Sequence, residues 1–421
     1  MGVDLSDLWS LVNRIIDLLN THGLRTIANI LSRHRVNITG VFIPLLERIL
    51  VARSRYYLFK SLLKDYVSDK LIERYAIEST FFHIETSIWS SIDWRRVIDP
   101  KEIRDIVVDG VLEKKGVVNE LLDCLGLIIA RSHVNGIELI RRNMKSNPTN
   151  LRLIEKGCKR IQDIMSSYGC DSISMCDLGA GYTLASTRLL ILIDILSEYC
   201  GVDCELDLID IDPFALRVEN AVVKVLREHG LRIIVKNLDI VSSGFDKRYN
   251  LIYAGFSLHD FSKTFEALEF LYGVEDRAKL MNSILSRGAR DSIYNEWLEA
   301  LNKIVDGLVS EPIGILIILE GLSYMEQVKL DLGFGISDII MKFLRNSYKN
   351  YELLLMPTLT YISKTNIITP YISLYGFPIP YEWYLTDICR TKISLDESLW
   401  YKYNILYIIA KLKSKNLCIN N

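Results

Sequence analysis

The chain has 421 residues, 49% of them hydrophobic and 24% charged; that composition excludes a disordered polypeptide and supports large buried cores, with two or three domains expected. Fifty Lys and Arg against 52 Asp and Glu leave a formal net charge of -2, which gives no support for a strongly basic nucleic-acid binder. No run of about 18 uncharged apolar residues occurs, so no membrane-spanning helix is expected.

Residues 1 to about 145 read as all helical, because apolar residues recur at spacings of three and four. Leu8, Leu11, Ile15, Leu18 and Leu19 form one such series, and Leu45, Leu46, Ile49 and Leu50 another. Asp99 before Pro100, with Glu102 following, marks a helix start. The turn cluster SNPTN at 146–150 closes this segment. An all-α domain over 1–148 is therefore expected, for substrate recognition or oligomerisation. Its helices are a candidate homodimer surface.

After residue 170 the rhythm changes. Short β-branched runs, SISMCD (172–177), ELDLID (205–210), RIIVKN (232–237), NLIYAGF (250–256) and GILIILE (314–320), alternate with helix-period stretches at 184–199, 213–229 and 257–308. Such alternation predicts parallel strands joined by crossover helices. After residue 350, YELLLMPTLTYI and NIITPYISLYGF read as an antiparallel hairpin at the sheet edge. The tail ESLWYKYNILYIIAKLKSKN (397–416) reads as an amphipathic helix.

The eight cysteines, at 124, 158, 170, 176, 200, 204, 389 and 418, include no CxxC pair. No zinc or iron–sulfur site is expected, and free thiols in a reducing, cytoplasmic compartment are. Abundant Ile, Tyr, Lys and Glu suit a thermophile.

The stretch MCDLGAGYTLAS (175–186) ends a strand and opens a helix. Gly179 and Gly181 allow a sharp turn and close approach of a ligand to the backbone. A dinucleotide site would carry a third glycine where Leu184 stands, and an acid about 20 residues on. Asp177, two residues before the first glycine, would repel a pyrophosphate. It suits a cationic or amino-bearing ligand instead.

Asp177-Leu178-Gly179-Ala180-Gly181-Tyr182-Thr183 resembles the first motif of class I S-adenosylmethionine-dependent methyltransferases, D/E-x-G-x-G-x-G, with Thr183 in place of the last glycine. The later segments follow the family's order, so the resemblance spans residues 150–375 and nothing before. It implies an α/β fold with a Rossmann-like seven-stranded sheet over 149–375. A helical insertion at 257–313 would shape the acceptor pocket, and 376–421 would be an extension ending in a helix. It also implies S-adenosyl-L-methionine as cofactor. Asp177, Gly179, Ala180, Gly181 and Tyr182 would hold the methionine end, and Asp210 with Ile211 the ribose. Asp239 with Ile240 would take the adenine, and Phe256 would wall the pocket. His259 is the candidate base, oriented by Asp260. Glu320 and Tyr324 are candidate substrate contacts, and no metal is required. The acceptor, small molecule or RNA, stays open. So do an RNA methyltransferase, an aminopropyltransferase and a non-catalytic donor-binding scaffold.

Overall fold

In the computed structural model the described residues are 5–87, 92–146, 148–183, 186–255, 257–310, 314–321, 329, 331–347, 351–361, 372–374, 377–379 and 403–411. The first part is helical, as its periodicity predicts: α1 Leu5–Thr21, α2 Arg25–His34, α3 Ile43–Leu63, α4 Asp69–Ser87, α5 Trp94–Val97, α6 Pro100–Val107, α7 Val111–Lys114, α8 Val118–Ser146 and α9 Pro148–Tyr168. Asp99 caps α6 by accepting the Lys101 N–H at 2.9 Å, which satisfies one of the first turn's orphan donors.

The five apolar runs become β1 Ser172–Leu178, β2 Asp203–Asp210, β3 Ile233–Asn237, β4 Leu251–Gly255 and β5 Gly314–Gly321. They are parallel, in the order β3-β2-β1-β4-β5. The helices between them are α10 Thr187–Glu198, α11 Pro213–Glu228, α12 Ile240–Ser243, α13 Lys263–Leu268, α14 Arg277–Ile284, α15 Arg290–Asp306 and, after β5, α16 Ile336–Ser347. The strand order reverses between β1 and β4. Connections leave in opposite directions there, and a crevice opens at the carboxyl ends of the strands, where open α/β sheets bind ligands.

β6 (Tyr351–Tyr361), β7 (Ile372–Leu374), β8 (Phe377–Ile379) and β9 (Tyr403–Lys411) follow. β9 lies antiparallel between β5 and β6. Two expectations are corrected here. Among the described residues of the expected hairpin's second half, 372–374 and 377, β7 and β8 pair with each other and not with the main sheet. The expected terminal helix is a strand: YNILYIIAK enters the sheet as β9. A short, nearly continuous apolar run carries no period that separates helix from strand, and a strand flanked by others on both sides reads in that way.

One buried apolar cluster runs from Leu8 to Leu344, through the helices before residue 148 and the sheet alike. α8 packs closely on α11 because Gly126 has no side chain; a Cβ there would lie 2.7 Å from the Val218 carbonyl oxygen. Cys158 on α9 is disulfide-bonded to Cys200, 42 residues on, so the expectation of free thiols fails for that pair. Nothing local in the sequence announces a bond that only the packing of α9 beside the end of α10 creates. Reducing cytosols disfavour such bonds outside hyperthermophiles. Cys124, Cys170, Cys176 and Cys204 are free; Cys389 and Cys418 lie outside the described residues. Among the described residues no helix is long and apolar enough to cross a membrane.

Candidate active site

At the carboxyl end of β1 the chain turns through Gly179 and Gly181, with φ of 65° and 56°. Both lie in the left-handed region that glycine enters without penalty. Gly179 is also required by space, since a Cβ would sit 2.6 Å from the Ser257 Cβ. Ser257, just past β4, donates its hydroxyl to the Leu178 carbonyl at 2.6 Å. The two strand exits on either side of the crevice are thereby joined.

Thr183 takes the place of the motif's last glycine without abandoning the glycine backbone. Its φ is 63°, and it is the one non-glycine with positive φ among the described residues. A β-branched residue there carries strain of about 1–3 kcal/mol. Its side chain is fully buried, with Oγ1 3.2 Å from His133 Nε2 on α8. Burial pushes His133 down to about 4, so the ring is neutral. The following helix begins at Thr187, three residues later than its period predicts.

Asp177 is 1% exposed. Burial pushes its carboxyl from the ordinary 3.8 up to about 7, and the charge of Asp210 acts in the same direction. Its Oδ2 is buried with no hydrogen-bond partner. A lone acceptor of this kind is satisfied by a donor brought in from outside. Asp210, at the end of β2, accepts from Gly181 N at 2.8 Å, Ile211 N at 2.7 Å and Asp212 N at 2.9 Å. It fastens the glycine turn to the neighbouring strand. Ile211 beside it is 51% exposed, while Ala180 and Tyr182 are buried. The Tyr182 hydroxyl has no partner among the described residues. Asp212 caps α11 through Phe214 N and accepts from Ser54 on α3 at 2.8 Å. Asp239 caps α12 through Val241 N and Ser242 N and faces Lys263 at 3.6 Å. Burial opposes its ionisation, but the Ser242 donors and Lys263 hold it below the usual carboxylate range. Ile240 beside it is buried. Phe256 and Tyr324 lie outside the described residues.

The turn after β4, Leu258–Phe261, carries His259 and Asp260 into a charged cluster. Glu320, at the end of β5 and fully buried, accepts from Leu258 N at 2.9 Å and faces His259 Nδ1 at 3.0 Å. Both its oxygens are engaged inside the protein, where they support the turn. On its other side, His259 Nε2 lies 3.3 Å from Asp260 and 3.7 Å from Glu269. Arg55, from α3, reaches Asp260 at 2.8 Å, Glu266 at 2.9 Å and Glu269 at 3.0 Å. Burial by itself would lower the His259 pKa, yet Asp260, Glu320 and Glu269 raise it to about 10. These carboxylates favour the protonated, imidazolium form of the ring.

Four residues here escape sequence reading. Ser54, Arg55 and His133 have their partners 50 or more residues downstream, and no local pattern marks them. Glu219 was detectable. It interrupts the apolar stripe of α11 formed by Ala215, Val218, Val222, Val223 and Leu226, and it is itself fully buried. Neither carboxyl oxygen has a partner. Burial, with Asp210, Asp177 and Asp212 nearby, raises its pKa well above the ordinary value.

No known protein family matches the chain, and no curated protein matches it in sequence. The solved structures that resemble it are S-adenosylmethionine-dependent methyltransferases. The N-methyltransferase NodS of Bradyrhizobium japonicum, with S-adenosylhomocysteine, aligns at 12% identity over 64% of this chain and 90% of its own, with a TM-score of 0.29. Magnesium protoporphyrin IX methyltransferase of Synechocystis, also with S-adenosylhomocysteine, aligns at 10% over 66% and 94%, TM-score 0.30. A methyltransferase of Clostridium acetobutylicum aligns at 10% over 61% and 91%, TM-score 0.30. At such identities and scores, function has to be argued from this chain's own residues.

Proposed function

We propose that the chain is an S-adenosyl-L-methionine-dependent methyltransferase built on a Rossmann-like seven-stranded sheet. The observation that carries this is the buried Asp177 carboxylate at the strand-order reversal, whose Oδ2 has no hydrogen-bond partner among the described residues. Asp177, Asp210 and Glu219 all have raised pKa values, from burial first and then from neighbouring carboxylates, with Asp210 acting on Asp177 and Glu219, and Asp212 acting on Asp210 and Glu219. An acid-rich crevice beside a glycine turn rejects a pyrophosphate and favours a ligand bearing positive charge. S-adenosylmethionine has two such groups, an ammonium and a sulfonium.

In this reading Asp177 accepts from the donor's amino group, and the glycine turn lets the backbone approach the methionine chain. Asp210 and the exposed Ile211 form the ribose and adenosine side, with Asp239 and Ile240 nearer the adenine. Tyr182 backs the turn. The sulfonium carbon is already activated, so the protein's tasks are to place the acceptor in line and to exclude water. His259 and Asp260 line the acceptor side. The helices of 257–310 and α3 enclose that side together: Arg55 joins them, and Phe59 stacks on Phe270 with centroids 4.7 Å apart. The near-neutral chain favours a small-molecule acceptor over RNA.

Calorimetry tests this directly. The wild-type chain is expected to bind S-adenosylmethionine with Kd well below 1 mM, about -4 kcal/mol, and Asp177→Ala with Asp210→Ala to abolish binding. No heat from the folded wild type at 1 mM donor would refute the assignment.

A further inference from the structure

We propose that His259 Nε2, Asp260 Oδ1 and Glu269 Oε1 form a site for one divalent first-row metal ion at the exit of β4. The three atoms lie within 4.8 Å of one another. Nε2 is 3.3 Å from the Asp260 oxygen and 3.7 Å from that of Glu269. Donors held about 2.0–2.4 Å from a shared ion have such separations. One imidazole and two carboxylates are a donor set for manganese, iron or zinc.

A second observation is independent of proximity. Asp260 Oδ1 is buried and makes no hydrogen bond, although a ring nitrogen lies only 3.3 Å away. The two groups stand within reach of each other without forming a hydrogen bond.

The surroundings are those of a metal site's supporting shell. Glu320, fully buried, holds His259 Nδ1 at 3.0 Å, which fixes the ring's orientation and leaves Nε2 as the coordinating nitrogen. Arg55 takes the outward oxygens, Asp260 Oδ2 at 2.8 Å and Glu269 Oε2 at 3.0 Å. Asp260 Oδ1, which Arg55 does not take, is the oxygen offered to the ion. Three carboxylates, Asp260, Glu266 and Glu269, face Arg55, while Glu320 faces His259. Asp260 is 26% exposed and His259 12%, so coordination positions remain open to a ligand from the crevice.

Resting on the methyltransferase reading, the location has a meaning. Ser257, next to this turn, packs on Gly179 of the donor turn. An ion here would hold an oxygen-bearing acceptor and lower the pKa of its hydroxyl.

The test uses the full chain, stripped with EDTA and desalted. MnCl2 is titrated by electron paramagnetic resonance, and ZnCl2 by calorimetry. One saturable site per chain is expected, with spin-echo modulation from an imidazole nitrogen on bound Mn(II). His259→Ala should remove the site, and Glu320→Gln should weaken it about 10–100-fold. No saturable binding of either metal up to 1 mM, or binding without the nitrogen modulation, overturns the proposal; so does binding unchanged in both folded variants. The wild-type spectrum decides the matter if a variant fails to fold. S-adenosylmethionine affinity is measured on the same EDTA-treated protein. Donor binding without metal binding sinks only this site, and metal binding without donor binding sinks only the methyltransferase reading.

Discussion

Replacing Asp177 with Asn should strengthen the empty protein at alkaline pH and weaken its grip on the donor. Burial raises the folded-state pKa of Asp177 from 3.8 to about 7. Below the unfolded value both states are protonated and the carboxyl costs nothing. As pH rises through this window the unfolded chain ionises first, and stability falls by about 1.4 kcal/mol per pH unit. Above the folded value the full penalty of about 4 kcal/mol is in place. An amide of the same shape never ionises and costs only about 1–2 kcal/mol as an unsatisfied buried group. Urea unfolding should therefore find the variant near wild type at pH 5 and more stable by about 2–3 kcal/mol at pH 8. Losing a charge-assisted contact should weaken S-adenosylmethionine by about 10–100-fold. A stability difference that does not change between pH 5 and pH 8 would refute the reasoning, because only a carboxyl with a displaced pKa produces the slope.

Two further predictions concern the frame. Gly179→Ala should destabilise far more than Gly181→Ala. Both place a side chain at positive φ, costing about 1–2 kcal/mol, but only at Gly179 does the new Cβ meet Ser257 at 2.6 Å, against 4.0 Å to the nearest atom at Gly181. Denaturant midpoints of the two variants settle the order, and equal losses would show that Ser257 yields freely. Cys158→Ser with Cys200→Ser opens a loop of 42 residues and should cost about 4 kcal/mol of unfolding free energy by loop entropy. A mass-spectrometric free-thiol count on the unreduced wild type checks that the bond is present.

How much was legible in the sequence depended on whether the deciding contact was local. The five parallel strands were plain, because each is an apolar run bounded by Gly, Asp or Asn. Asp177, Gly179 and Gly181 were plain because an acid and two glycines in one turn have few structural uses. Asp212 announced itself as a cap by preceding Pro213. What stayed hidden was set by partners far along the chain: Arg55 and its carboxylates, the Cys158–Cys200 bond, and β9, whose strand identity came from the slot beside β5. The surroundings of His259 were hidden for a related reason, since Glu269 and Glu320 reach it from elsewhere in the chain.

The placement of β9 has a consequence for biosynthesis. β5 pairs with β9 along its whole length, from Gly314 opposite Lys411 to Gly321 opposite Asn404. While a ribosome is still making the residues before 403, one margin of β5 offers a row of unmatched amide and carbonyl groups to any passing strand. Only residues 403–411 close this margin, so a chain cut short before them would be inclined to stick to its own copies.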